Sequence, residues 1–152
     1  MTTPSPVTVY PPIVELVPHR PPMLLLDRVL SYDGELVVCE TILGPESPFA
    51  ERGEVPAVVG IEYMAQTIAA GAGLSAREKG NEGGKTGFLL GCRSLKLAVD
   101  SFQVGDRLTI AARRTWGENQ LGSFACTVER DGEVLVEGAL TVYQGPIPEE
   151  MR

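Results

Sequence analysis

Glu62 is the only charged residue between Val55 and Ala76. A carboxylate on an apolar segment is costly to bury unless it is paired or neutral. Burial would raise its pKa, which suits a general acid at neutral pH. Gln66 follows four residues later, so on a helix it stands one turn along the same face, placed to orient a bound group. The plainer alternative for Glu62 is a reach to solvent or an arginine partner. His19 is the only imidazole in the chain, so any histidine-based acid–base step must use it. Pro18, Pro21 and Pro22 bracket it and stiffen its segment. A lone histidine beside an arginine is otherwise an ordinary surface residue.

Other chemistries find little support. Cys39, Cys92 and Cys126 are scattered, and with one histidine they build no zinc-ligand spacing. Each lies in an apolar, strand-like run and reads as a buried structural thiol. The nucleophile-elbow pattern is absent, and only Cys92, beside Arg93, has a basic neighbour. Gly80 to Thr86 (GNEGGKT) is one residue short of a phosphate loop. It also follows a helix and leads into a strand, the reverse of that motif, so it reads as a flexible connection. The net charge of −7 argues against nucleic acid as a partner. Arg93, Lys96, Arg113 and Arg114 fall on strands expected to be adjacent. They form either a local positive patch for an acidic carrier or a solvated sheet face. No metal or organic cofactor is indicated. Met1 to Val7 has neither a basic start nor an apolar stretch, which with the cysteine usage suggests a reduced, cytoplasmic setting.

The elements that would position these residues follow from periodicity. The 152 residues suit a single domain spanning 1–152, with 1–10 and 146–152 as loose tails. Met23 to Leu30 reads as a strand. Asp33-Gly34 is a turn dipeptide, and the alternation after it predicts a hairpin of Met23–Ser31 with Glu35–Leu43. Gly44 to Val55 reads as a loop. Pro56 then opens one long helix, roughly Ala57 to Lys79. Ile61, Met64, Ala65, Ile68 and Ala72 recur at helical spacing, and a helix apolar nearly all round is buried. A membrane span is disfavoured by Pro56, Glu62, Gln66 and the many weakly apolar Gly and Ala. Strands follow at Thr86–Leu97, Arg107–Thr115, Gln120–Arg130 and Glu133–Gln144, the last two joined by Asp131-Gly132. One buried helix with about six antiparallel strands implies an α+β fold with the sheet wrapped around the helix.

Three stretches resemble one family. Val17 to Val29 (VPHRPPMLLLDRV) resembles the start of bacterial 3-hydroxyacyl-acyl-carrier-protein dehydratases. Val55 to Thr67 (VPAVVGIEYMAQT) resembles their central helix, and Phe88 to Leu108 (FLLGCRSLKL…VGDRL) their next strand and the Gly-Asp turn beyond it. Order and spacing agree from about Leu16 to Tyr143. The combination looks closest to dehydratase-like subunits of aryl-polyene and related type II polyketide clusters.

The resemblance implies a hot-dog fold, a homodimer or heterodimer with sites at the subunit interface, and acyl carrier protein with a phosphopantetheine-linked chain as partner. It implies dehydration of 3-hydroxyacyl thioesters in fatty acid or polyketide synthesis, with no cofactor. A histidine takes the C2 proton and the helix carboxylic acid protonates the leaving hydroxyl. Glu62 falls on the carboxylate position. Pro56-Ala57 falls on a Pro-Gly at the helix start, so the amides near Ala57 and Val58 would hold the thioester oxygen. Gly91 and Cys92 would line the substrate path. The family histidine, in Gly-His-Phe-Pro, aligns with Ser47-Pro48-Phe49-Ala50, so Pro48 replaces it. Either His19 takes over as base, or a partner subunit supplies the base, or this chain does not dehydrate. A hot-dog thioesterase, and a non-catalytic carrier-binding subunit of an active paralogue, are the other readings.

Overall fold

Pro56 supplies a fixed φ of −54° and no N–H, and the chain behind it coils at once. A 3-10 turn over Ala57–Val59 runs directly into helix α1, Gly60–Glu78. The span agrees with the sequence expectation to within a residue. In a computed structural model covering residues 9–80, 86–118 and 120–145, this helix is the axis of the fold. Its buried side includes Gly60, Tyr63, Met64, Thr67, Ile68, Gly71 and Leu74. It is long and apolar enough to cross a bilayer, yet more than half of it lies inside the fold.

Eight antiparallel strands complete the fold: β1 (Arg28–Tyr32), β2 (Leu36–Ile42), β3 (Glu54–Pro56), β4 (Thr86–Leu97), β5 (Ser101–Gln103), β6 (Arg107–Glu118), β7 (Leu121–Arg130) and β8 (Glu133–Gly145). Six form one sheet in the order β1-β2-β6-β7-β8-β4, and β3 and β5 form a separate pair. The alternation predicted for β6 holds. Leu108, Ile110 and Ala112 are fully buried against the helix, and Val37, Cys39, Cys126, Val128, Val136 and Leu140 face them from neighbouring strands. The Asp131-Gly132 turn places both residues at positive φ, 51° and 80°, as a two-residue hairpin requires.

Three expectations need correction. Met23–Asp27 is extended but not a strand, and β1 begins at Arg28. Leu25 and Leu26 are buried while Met23 is exposed, and Gln66 and Thr41 hold the backbone at Met23 and Leu25. Glu54–Pro56, expected partly as loop, pairs with Ser101–Gln103. The N-terminal tail is anchored by Tyr10, whose hydroxyl accepts the Tyr32 N–H at 3.0 Å. The rest of that tail, most of the GNEGGKT segment and the tail at 146–152 lie outside the described residues.

Close approach also fixes the segment before Met23. Ile13–Glu15 forms a single 3-10 turn, and the Leu16 carbonyl sits where a Cβ on Gly73 would be. The chain thus contacts the helix at Gly73 near residue 16 and at Gln66 near residues 23 to 25.

Candidate active site at the helix start

The first turn of the central helix leaves its early amides without acceptors inside the helix. The 3-10 geometry gives the Val59 N–H to Pro56 and the Gly60 N–H to Ala57. Ala57 is fully buried, and its N–H donates to the Asp100 carbonyl at 2.9 Å. The expected role of Ala57 as a donor to a thioester is therefore corrected: that donor is already taken. Val58 is 52% exposed, and the helix offers its N–H no acceptor. Of the two amides expected to act as donors, only that of Val58 is left without an acceptor among the described residues.

Glu62 lies one turn further on, half-buried, and makes no ion pair or hydrogen bond with the described residues. It is thus not the arginine-paired carboxylate of the plainer reading. Val58, in the 3-10 turn, and Glu62, in the first turn of α1, are four residues apart, so they lie about one turn apart along the helix start. A donor for a carbonyl oxygen and a carboxyl group thus share the positive end of the helix dipole.

Gln66 departs from its expected role. Its side chain is fully buried. Oε1 accepts the Leu25 N–H at 2.9 Å, and Nε2 donates to the Met23 carbonyl at 2.8 Å. It binds backbone, not a ligand.

His19 sits half-exposed in its proline-bracketed segment. Its Nδ1 is covered and has no partner, and its carbonyl accepts Nη1 of Arg20 at 2.8 Å. No hydrogen bond joins it to Glu62. Pro48, at the position of the family histidine, is exposed in a turn closed by the Ala50 N–H on the Ser47 carbonyl at 3.0 Å.

Gly91 and Cys92 lie on β4, an edge strand whose free side has no neighbour among the described residues. An added Cβ on Gly91 would meet nothing within 4 Å. Cys92 is exposed, contrary to the buried thiol expected, and its Sγ donates to the Ser94 carbonyl at 3.1 Å. Two bulges interrupt the ladder here, at Leu90 and at Arg93, and they turn side chains out of the alternation on which the expectation rested. Leu89 and Leu90 are exposed at 42% and 59%. Cys39 and Cys126 are buried as expected, and desolvation pushes both thiols up to about 12.

The basic residues divide differently from expectation, because β7 and β8 separate β6 from β4. Lys96 and Arg113 line one shallow depression of the sheet with Glu137. Arg114 lines a cavity of about 270 Å³ at the far end of the helix, with Lys79 and Glu35. Glu62 and His19 line neither. Among the described residues no cluster of three His, Cys, Asp or Glu side chains could hold a metal ion.

Two features escaped the sequence reading. Tyr63 is buried against Phe102, ring centroids 5.9 Å apart, with no partner for its hydroxyl; desolvation pushes its pKa up to about 12. Glu40 is a buried carboxylate held between Arg28 at 2.9 Å and Arg107 at 2.7 Å. The alternation of β2 gave no hint of it, because it sets Glu40 on the face opposite the inward-pointing Val37, Cys39 and Thr41.

Comparison with known proteins decides the family. The profile described as "ApeP-like: ApeP dehydratase" matches residues 11–152. This chain belongs to the ApeP-like dehydratase family. ApeP-like membership agrees with the curated relatives. A 3-hydroxyacyl-[acyl-carrier-protein] dehydratase FabZ of Streptococcus equi subsp. zooepidemicus is 31% identical over 138 residues, covering 88% of this chain and 95% of its own. The FabZ of Rickettsia akari is 32% identical over 139 residues, covering 85% and 90%. Among solved structures, the dehydratase heterocomplex ApeI:P from Xenorhabdus doucetiae superposes with a TM-score of 0.87 at 31% identity, covering 94% of this chain and 95% of that one. The ApeP-like chain therefore has the hot-dog fold. A hypothetical thioesterase of Streptococcus pneumoniae, at 14% identity and a TM-score of 0.59 over 78% and 85% of the two chains, shares the fold alone.

Proposed function

We propose that this chain acts in the dehydration of 3-hydroxyacyl thioesters carried on acyl carrier protein, in fatty acid or polyketide synthesis in the cytoplasm. The observation that carries the reading is the pairing, at the helix start, of the unaccepted Val58 amide with the Glu62 carboxyl. The Val58 N–H polarises the thioester carbonyl. A base takes the C2 proton, and the C–H electron pair moves into the C2–C3 bond. The C3–O bond breaks with its pair, and Glu62 delivers a proton to the departing oxygen, so water leaves. A single positioned acid or base typically contributes about 10²–10⁴-fold. His19 is the candidate base, as the only imidazole.

Glu62 and His19 share no hydrogen bond or ion pair within one chain, and the exposed Leu89 and Leu90 lie on an open strand edge. Both features support a site completed by a second hot-dog subunit along β4. Gly91 and Cys92 on that edge would line the path of the acyl chain. The test is intact-protein mass spectrometry of a 3-hydroxyacyl-carrier protein incubated with this chain alone, and with a co-expressed hot-dog partner. Loss of one water supports dehydration, and loss of the whole acyl group would replace it with thioester hydrolysis.

A second reading has specific support. Pro48 stands where the family histidine would be, and the related Xenorhabdus structure is a heterocomplex. In that reading the chain shapes the acyl path and the partner supplies the base. Water loss only in the mixed complex, unchanged in His19→Ala, would select it.

A further inference from the structure

We propose that Gln66 positions His19, through an unbroken relay of three hydrogen bonds. The relay begins on the helix, one turn beyond Glu62. Nε2 of Gln66 donates to the Met23 carbonyl at 2.8 Å. The Met23 N–H donates to the Arg20 carbonyl at 2.9 Å. The Arg20 guanidinium returns through Nη1 to the His19 carbonyl at 2.8 Å and the Val17 carbonyl at 2.9 Å. Each link fixes the next, so a buried amide sets the backbone that carries the imidazole.

Neighbouring contacts make the relay rigid. The other end of Gln66 accepts the Leu25 N–H, and the Leu25 carbonyl accepts Oγ1 of Thr41 at 2.8 Å. The segment is therefore held at Met23 and at Leu25 from two separate elements. Upstream, Leu16 lies against Gly73 with no space for a side chain between them. Pro18, Pro21 and Pro22 reduce the freedom of the residues between these anchors. Gln66 and Glu62 share one helix, so the relay fixes the imidazole in the same frame as the carboxyl. Misplacement of a reacting group by about 1 Å can cost on the order of 10²-fold in rate.

The catalytic consequence rests on the proposed role of His19, but the positioning itself does not. Because His19 is the only histidine, its Hε1 proton gives one assignable NMR signal in the assembled protein. Gln66→Leu removes the first link, and Arg20→Gln, at an exposed residue, removes the last without touching the core. In both variants the His19 signal is expected to narrow and move to the position of a free imidazole. Turnover should fall by at least about tenfold with KM little changed. A His19 signal unaltered in folded Arg20→Gln, and in Gln66→Leu if that variant folds, overturns the proposal. A signal that moves while turnover stays constant leaves the positioning intact and removes His19 from the chemistry.

Discussion

The amide of Ala57 donates to the carbonyl of Asp100 at 2.9 Å, and this bond fixes which donor the helix start presents. With Ala57 tied to the β4–β5 connection, Val58 offers the next N–H. Replacing Val58 by its α-hydroxy acid turns that amide into an ester and leaves the side chain in place. Dehydration by the assembled enzyme should fall about 10²–10³-fold, as for loss of one oxyanion donor. Circular dichroism should show the helix unchanged. An ester variant with full activity would remove Val58 from the site.

Glu62→Gln keeps the shape of the side chain and replaces the acid with an amide that cannot donate a proton in its place. Turnover should drop about 10²–10⁴-fold. Glu62 has no partner among the described residues, so the melting temperature should hold or rise. Activity within a few-fold of the parent would show that another group is the acid.

Glu40 predicts non-additivity. Arg28→Ala and Arg107→Ala each leave the buried carboxylate one partner, and both arginines are 62% exposed, so each should cost under about 1 kcal/mol. The double variant leaves Glu40 buried with neither arginine. It should cost more than the sum of the single changes, by roughly 1–3 kcal/mol. Urea unfolding of the four proteins gives the coupling directly, and strict additivity would show that Glu40 relaxes to solvent.

The cysteines should separate by rate. Iodoacetamide at pH 8 should modify Cys92 in the folded monomer, while Cys39 and Cys126 react only after denaturation. Burial holds those two thiols protonated, pushed up to about 12 from an unfolded value near 9.0. A raised folded pKa gives stability that is complete below the unfolded value and declines as pH rises toward the folded one. Unfolding midpoints should therefore fall between about pH 9 and 12. Cys39→Ala/Cys126→Ala should flatten that decline.

Sequence periodicity disclosed the helix and the four long strands after it because both sides of the argument agreed. Leu108, Ile110 and Ala112 alternate in the sequence and are all buried, and Pro56 marks the helix start in both. Periodicity failed where hydrogen bonds replaced the ladder. The apolar run Met23–Leu26 satisfies a strand pattern, but its backbone partners are the side chains of Gln66 and Thr41, which a linear pattern does not reveal. At the site, Glu62 stood out because it was charged on an apolar helix. Ala57 was misread because its acceptor, Asp100, lies 43 residues away in the connection between β4 and β5. Cys92 was misread because two bulges reset which face each β4 residue occupies.

Those bulges also bear on kinship between subunits. An open strand edge ordinarily accepts any extended chain, including further copies of itself. Here Leu90 and Arg93 each add an unmatched residue within a few positions, so the free donors and acceptors of β4 are unevenly spaced. A straight strand laid against that edge would leave gaps in its hydrogen bonding. A strand carrying complementary irregularities would close them. The same two extra residues thus make this edge a poor template for open-ended fibre growth.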